Sequence, residues 1–264
     1  MSVPGYQEFE FDLPGALLKR LVEIFDGMSP VMLSAASLAI IPEEQGVYEL
    51  FLDTGGVKKL VYIGKTDAEA GLLKRLTRHA KKIQNRSGLN PATVHFKAVR
   101  VFVFTAVDLE TDLIKEAGGT KKVSWNGSGF GSNDVGIERD TTKYKADHFD
   151  TLYPIDSTLS LGFPLPTTAT AADILKILKA KLPYTLRFES IAPKSRQPHA
   201  DLPATAVTLD PKKHNTPETV LRAVVSQLPK GWHVTKLPSH IIMYKNDKRS
   251  FPNGKLIGKS PGTP

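Results

Sequence analysis

The hydrophobic positions of the first hundred residues predict a helix followed by a β-hairpin. Segment 12–26 carries apolar residues at helical spacing and predicts an amphipathic helix. Two β-prone runs follow, GVYELFL and KLVYIGK, and the sequence DTGG between them supplies turn glycines. The pattern therefore places Tyr48 and Tyr62 on neighbouring strands of one hairpin.

The period of the pattern then changes to that of a helix over residues 70–83. An apolar stripe marks one side of this helix, while Arg75 and His79, four residues apart, lie together on its flank. The run TVHFKAVRVFVF predicts a third strand, and the sequence from Thr105 to Asp108 resembles a capping box that opens a short helix. Glu110 lies at the start of that helix.

The second half of the chain begins after a glycine-rich loop and a Ser/Thr/Pro-rich stretch, which predict a boundary near residue 160. Beyond it, TAADILKILKAKLP from Thr170 and TPETVLRAVVSQLP from Thr216 align without a gap, 46 residues apart. Each predicts a helix with a threonine N-cap followed by a strand. Either a duplicated helix-strand unit or two unrelated amphipathic helices explains this similarity.

The distribution of charged residues also changes near residue 160. The full sequence of 264 residues has a net charge of +8, and residues 161–264 carry 16 Lys and Arg against 6 Asp and Glu. The excess favours a polyanionic partner. The chain has no cysteine, which excludes disulfides and cysteine-ligated zinc. Without a signal-peptide pattern or a membrane-length apolar run, we expect a cytoplasmic protein without a membrane partner.

The sequence around Gly64, Lys65 and Thr66 invites a nucleotide-loop interpretation, which fails because Lys59 stands where a P-loop needs its first glycine. The order of several motifs is more informative. GVY on one strand and YIG on the next precede RLTRH, ETDLI and SWNGSGF.

That order resembles the GIY-YIG nuclease superfamily over roughly residues 44–155, and the downstream sequences GFGSNDVG and FDTLYP resemble its type II restriction endonucleases with SacII-like specificity. The resemblance implies an α+β core with a three-stranded antiparallel sheet flanked by helices, and we expect residues 1–160 to form a nuclease domain in which a helical extension precedes that core. It gives no counterpart for residues 161–264, which we interpret as a basic α+β domain that binds DNA. The short hairpin turn and a missing proline before Trp125 depart from the branch, so its recognition sequence is not carried over.

The resemblance also implies a catalytic set: Tyr48, Tyr62, Arg75, His79, Glu110 and Asn126. Glu110 would hold Mg²⁺, with Mn²⁺ as an alternative, and Arg75 would hold the scissile phosphate. Either tyrosine is the general base, which needs help because its ordinary pKa is about 10. His79 would orient a tyrosine or contact phosphate, and Asn126 would fix its loop against the helix.

Other interpretations of these residues stay open at this stage. Both tyrosines are typical of sheet packing, the Arg75 and His79 pair of a helix surface, and Asn126 of a turn. Glu110 suits a helix start, and Glu116 competes with it for the metal.

Nine cations are candidates for contact with the DNA backbone: Lys65, Lys121, Lys122, Arg139, Lys143, Lys145, Lys245, Lys248 and Arg249. The last three lie beside Tyr244 and Trp232 and indicate a phosphate-binding face. Four histidines lack metal-ligand spacing and are interpreted as structural: His199, His214, His233 and His240.

The functional hypothesis is a Mg²⁺-dependent restriction endonuclease that hydrolyses double-stranded DNA, and cutting both strands implies a homodimer or two sequential events. One alternative is a repair or defence nuclease directed to branched or modified DNA. A second is a non-catalytic DNA-binding or partner-binding module on a nuclease scaffold.

Overall fold

The fold is mixed α+β with antiparallel sheets, as predicted. The structure is a computed structural model, and it describes residues 5, 10, 12–66, 70–102, 109–131, 137–193 and 195–262. Within these ranges, no helix is long and apolar enough to cross a membrane.

The chain divides into two compact units that interleave along the sequence. The first unit combines residues 1–80 and 91–127, and the second combines residues 81–90 and 128–264. The division differs from the boundary expected near residue 160. Ile155, which precedes that boundary, belongs to the hydrophobic core of the second unit. The Ser/Thr/Pro-rich stretch is therefore a connection within the second unit, because composition marks irregular backbone rather than where a core ends.

The first unit contains one four-stranded sheet and four of the described helices. Its helices are α1 (Leu13–Asp26), α2 (Ala35–Leu38), α3 (Leu72–Lys82, of which the last two residues belong to the second unit) and α4 (Leu109–Glu116). Its strands are β1 (Val31–Met32), β2 (Gly46–Thr54), β3 (Val57–Lys65) and β4 (Val94–Arg100). All are antiparallel, in the order β1-β4-β2-β3.

The predicted hairpin is confirmed as β2 and β3, which turn at Gly55 and Gly56 with φ angles of 68° and 91°. Two positive φ values suit the tight hairpin turn for which glycine is favoured. The predicted third strand is confirmed as β4 but ends at Arg100. Its expected last residues, and the capping sequence from Thr105 to Asp108, lie outside the described residues.

The two faces of this sheet carry different helices. α1 and α4 cover one face, where Phe25 and Leu113 join Val47 and Ile63 in a buried cluster. α3 lies on the opposite face, the face of Tyr48. Alternation along β2 therefore assigns Val47 to the core and Tyr48 to the α3 side.

The second unit contains a four-stranded and a two-stranded sheet. Its helices are α5 (Glu138–Thr141), α6 (Phe149–Leu152), α7 (Ala171–Lys181), α8 (Asp201–Ala204) and α9 (Pro217–Gln227). Its strands are β5 (Thr168–Thr170), β6 (Thr185–Phe188), β7 (Ala206–Thr208), β8 (Trp232–Lys236), β9 (His240–Lys245) and β10 (Lys255–Lys259). The larger sheet has the order β10-β8-β9-β6, in which β6 and β9 are parallel.

Both predicted helices of this unit are confirmed, and each begins at a threonine side chain that accepts a backbone N–H hydrogen bond, Thr170 for α7 and Thr216 for α9. Helix residues such as Leu175 and Leu221 form one core with Trp232 and Ile241 of the sheet. The internal duplication itself stays a prediction.

Candidate active site

The two motif glycines of the hairpin make room for neighbouring groups. Tyr48 and Gly64 are direct cross-strand partners, and a Cβ atom added to Gly64 would lie 2.5 Å from the Tyr48 hydroxyl oxygen. A Cβ atom on Gly46 would lie 2.3 Å from the Val99 carbonyl oxygen. The tyrosine ring can therefore lie across β3 only because residue 64 has no side chain.

Three aromatic rings meet on this face of the sheet. The ring centroids of Tyr48 and Tyr62 are 6.1 Å apart, and His79 lies 5.5 Å from the first and 5.3 Å from the second. The Tyr48 hydroxyl is 2.8 Å from His79 Nε2, a hydrogen bond whose direction depends on the histidine tautomer. The exposed fractions are 0% for Tyr48, 5% for Tyr62 and 3% for His79.

His79 is therefore buried rather than on the polar flank expected from the helical pattern. Arg75, one turn earlier in α3, is half-buried and hydrogen-bonds to Tyr48. The structure brings Tyr48, Tyr62, Arg75 and His79 together, as the sequence order predicted.

The electrostatics of this cluster keep both tyrosines neutral. Burial raises the pKa of Tyr48, while the charge of Arg75 and hydrogen bonds from Arg75 and Tyr62 oppose that rise. Burial also raises the pKa of Tyr62, and nearby Tyr48 and Glu110 raise it further. Hydrogen bonding between the two hydroxyls lowers the pKa of Tyr48 and raises that of Tyr62.

Glu110 lies in the first turn of α4, half-buried, and is close enough to both tyrosines to act on their pKa. Glu116 is exposed at the last residue of the same helix, roughly 9 Å away along the axis. Mg²⁺ binds through one or two carboxylates and keeps several water ligands. A single partly exposed carboxylate that acts on the same two tyrosines as Arg75 fits such an ion on a phosphate. Within the described residues no three His, Asp or Glu side chains group as a ready metal cage.

Asn126 holds its loop against strand β3, not against the helix as expected. Its side-chain amide accepts a hydrogen bond from Ile63 N–H and donates one to Ile63 C=O, both at 2.8 Å. Trp125 N–H donates to the Val61 carbonyl at 2.7 Å. Asn126 binds the strand because β3 lies at the edge of the sheet, where its outward backbone N–H and C=O groups need hydrogen-bond partners. Asn126 is thus a positioning residue for the strand that carries Tyr62.

The sequence did not single out Glu43, which caps the helix that carries Arg75 and His79. Its carboxylate accepts hydrogen bonds from Gly71 N–H at 2.9 Å and from Lys74 N–H at 2.8 Å. A carboxylate there satisfies two N–H groups at the positive end of the helix. The contact spans 28 residues of sequence, so no local capping pattern announces it.

The nine cations proposed for DNA contact fall into two groups. The first group contains five exposed lysines, Lys121, Lys122, Lys143, Lys145 and Lys248, and the partly buried Lys65. The other three pair with carboxylates: Arg139 with Asp150 at 3.6 Å, Lys245 with Asp201 at 2.8 Å, and Arg249 with Asp247. The aromatic residues expected beside the last cluster are buried, because Trp232 belongs to the core and Tyr244 packs on the opposite face of the sheet.

A second buried polar network lies in the second unit around Asp140. The carboxylate is fully buried and accepts hydrogen bonds from Arg187, from Tyr244 at 3.0 Å and from His240 Nε2 at 2.7 Å. His240 Nδ1 in turn lies 2.8 Å from the Ser239 hydroxyl. His240 therefore lies within a buried network, and no local pattern indicates its partner, which lies 100 residues away in the sequence.

The chain was compared with known protein families and with curated proteins. No family model matches it, and no curated protein does.

Proposed function

We propose that this protein is a metal-dependent endonuclease of the GIY-YIG type that hydrolyses phosphodiester bonds of double-stranded DNA, with restriction as its role. One observation supports the proposal most: the rings of Tyr48, Tyr62 and His79 meet in one buried cluster, Tyr48 and His79 share a hydrogen bond, and Arg75 is close enough to lower the pKa of both tyrosines. These are the side chains that the motif order assigns to catalysis. The three-stranded antiparallel part of the sheet, β4-β2-β3, also agrees with the core expected of that superfamily.

The cluster suits proton removal from an attacking water. Tyr62 is less buried than Tyr48, so its hydroxyl oxygen is the group that accepts the proton of the attacking water. The Tyr62 proton then passes to the Tyr48 oxygen, and the Tyr48 proton passes to His79 Nε2, which becomes imidazolium. Each tyrosine is neutral before and after the step, which agrees with the raised pKa of both hydroxyls. The resulting hydroxide attacks phosphorus, and the bond to the leaving oxygen breaks. That oxygen takes a proton from solvent water, and His79 returns its extra proton to solvent.

Arg75 stabilises the charge that builds up on the phosphate during this step. Its guanidinium is permanently charged and presents donors in a plane that matches phosphate oxygens. Glu110 would hold Mg²⁺ or Mn²⁺, and the bound ion supplies a Lewis acid for the phosphate oxygens. Glu43 and Asn126 position the helix and the strand from which these side chains project.

The direct test is cleavage of supercoiled plasmid with Mg²⁺. Arg75→Ala and Glu110→Gln should each lower the rate about 100-fold or more. Two matched controls come from the same helices: Arg78→Ala removes an exposed arginine of α3, and Asp112→Asn removes a carboxylate of α4 that pairs with Lys115. Both controls should cut like wild type. Equal cutting by all five proteins, or none by wild type, would sink the proposal. Sequencing of fragment ends tests the restriction role, which requires discrete sites.

A further inference from the structure

The face of the larger second-unit sheet that lies away from α7 and α9 carries a groove around Arg249. Residues of β9 alternate, so Ile241 and Met243 join the helix-covered core while Ile242 and Tyr244 point to the other face. Two adjoining depressions meet at Arg249: one of about 200 Å³ lies on that face, and one of about 440 Å³ lies beside β6, where Lys179 of α7 also lines it. Both are lined by Tyr244, Asp247 and Arg249, and we call them together the Arg249 groove.

Arg249 is held in one orientation within this groove. Its Nε donates to both carboxylate oxygens of Asp247, at 3.0 Å and 2.9 Å, and its Nη2 donates to one of them. The guanidinium also lies over two rings, 5.2 Å from the centroid of Tyr244 and 5.6 Å from that of Phe251. The aromatic rings and the carboxylate together fix the plane of the guanidinium.

The orientation leaves one edge of the guanidinium available. Arginine has five N–H donors, and Asp247 takes the one on Nε and one on Nη2. The other three, two of them on Nη1, have no hydrogen-bond partner among the described residues. The side chain remains 36% exposed. Arg249 therefore presents a planar set of donors to whatever enters the groove.

The surrounding charge favours an anionic polymer as the occupant. Residues 245–259 contain five Lys and Arg against one Asp. Lys179 and Arg187 also line the larger depression, although Glu189 does too. Because the carboxylate of Asp247 neutralises much of the Arg249 charge, the contribution of Arg249 is geometric more than electrostatic.

We propose that the Arg249 groove binds DNA and that the outer edge of Arg249 takes a planar pair of acceptors, either O6 and N7 of a guanine or two oxygens of one phosphate. The choice of DNA as the ligand rests on the proposed nuclease function. The orientation of the Arg249 donors is independent of that function, because it follows from the contacts of the side chain. Arginine is the residue that most often reads guanine through such a pair, and phosphate offers the same spacing of acceptors. In this view the second unit contributes a directed contact, not only diffuse positive charge.

Binding of the full chain to short duplexes with a randomised centre, in EDTA so that nothing is cut, tests this proposal. Wild type and Arg249→Ala are compared by sequencing the bound fraction and by measuring affinity against salt. If Arg249 reads guanine, Arg249→Ala loses a guanine preference at a fixed position and weakens binding to the preferred sequence about 5- to 100-fold. If it contacts phosphate, binding weakens equally for all sequences and the salt slope falls by about 1.

Three further variants separate geometry from charge and from folding. Arg249→Lys keeps the positive charge but loses the planar pair of N–H donors, so its DNA binding should be weakened as in Arg249→Ala. If Arg249→Ala fails to fold, Arg249→Lys provides the test in its place. Asp247→Asn should weaken binding in the same way, because the guanidinium is no longer fixed. Arg222→Ala is the matched control, an exposed arginine paired with Glu218 at 3.3 Å outside the groove.

Two results would overturn the proposal: no DNA binding by wild type in EDTA, or Arg249 variants that bind like Arg222→Ala. The outcome is separable from that of the nuclease proposal. Plasmid cutting that depends on Arg75 but not on Arg249 leaves the nuclease proposal standing alone. Arg249-dependent binding without any cutting in Mg²⁺ leaves the groove standing alone.

Discussion

Each unit buries a histidine that hydrogen-bonds to a hydroxyl group, but the two networks differ in where their negative charge lies. Around Asp140 the carboxylate is fully buried and both of its oxygens accept hydrogen bonds. Around His79 the buried groups are neutral tyrosines, and the nearest carboxylate identified, Glu110, is half-buried. The first arrangement is closed and suits stability, while the second keeps its charged groups available to a ligand. A list of residue types would not distinguish them.

The largest expected effect tests the closed network. Asp140→Asn leaves Arg187 without its counter-charge and should destabilise the second unit by about 3–5 kcal/mol. Each unit has one tryptophan, so denaturant unfolding followed by Trp232 fluorescence in a Trp125→Phe background reports on this unit. Asp173→Asn, an exposed carboxylate of α7, is the control. Equal midpoints for both variants would mean that the network is not stabilising.

The pH dependence of the same comparison follows from the Asp140 pKa. Burial alone would raise it, but the hydrogen bond from His240 and the charge of Arg187 hold the pKa below the ordinary 3.8. A carboxyl whose pKa is lower in the folded state than in the unfolded state stabilises the fold at pH values above its unfolded-state pKa. This stabilisation is lost as the pH falls toward the folded-state pKa. The difference between wild type and Asp140→Asn should therefore persist at neutral pH and shrink below about pH 3.8.

A buried carboxylate in the first unit should behave in the opposite way. Burial raises the Glu49 pKa from 4.5 to about 7, and Lys97, directly across the sheet, only partly opposes this. The folded state then holds the proton more tightly, so stability is greatest below pH 4.5 and falls as the pH rises to about 7. Glu49→Gln should flatten this dependence and be more stable than wild type by about 3 kcal/mol at pH 8.

Trp125 fluorescence in a Trp232→Phe background measures that effect. Glu23→Gln, which removes an exposed carboxylate of α1, should keep the wild-type pH profile. A Glu49→Gln profile that still falls between pH 4.5 and 7 would show that another group causes the dependence.

Substitutions in the network around His79 should change the rate of plasmid cleavage. Tyr48→Phe removes the hydroxyl that joins Tyr62 to His79 and should slow plasmid cleavage about 100-fold, which corresponds to about 2.7 kcal/mol. Tyr184→Phe removes a buried hydroxyl in the second unit that has no partner among the described residues, and its cleavage rate should stay at the wild-type value. If both variants cut alike, the relay through Tyr48 is wrong.

The smallest effect concerns the cap of the helix that carries Arg75. Glu43→Ala removes both accepted hydrogen bonds and should cost about 1 kcal/mol of stability in the first unit. Because Arg75 and His79 of the candidate site lose their alignment, kcat for plasmid cleavage should fall several-fold with little change in KM. Glu43→Gln keeps one acceptor oxygen and should restore part of kcat. Glu44→Ala, which removes only an exposed pair with Arg100, is the neighbouring control.

Local patterns in the sequence predicted most elements of the fold. The hairpin, the Arg75 helix and the helices after Thr170 and Thr216 each have a period and a turn or cap within a few residues. These periods, turns and caps involve residues within one or two helical turns of each other, so they can be recognised from the sequence alone.

The rest depends on contacts between distant segments. The motif order names Asn126 as a candidate site residue but does not reveal its partner, since the unpaired edge of β3 exists only once the sheet has formed. The helical pattern predicts His79 on a polar flank, because a histidine four residues after an arginine gives no sign of a tyrosine 31 residues earlier. The interleaving of the two units was missed because hydrophobic content does not state which core a residue joins.

The contact between Asn126 and β3 has a consequence for assembly. The side-chain amide occupies the outward N–H and C=O groups of Ile63, and Trp125 occupies the carbonyl of Val61. A strand from another molecule could extend the sheet at these positions only by displacing the loop. Aggregation by strand addition at this edge would therefore first have to release the segment that holds the Tyr62 strand, so misassembly and loss of the candidate site would occur together.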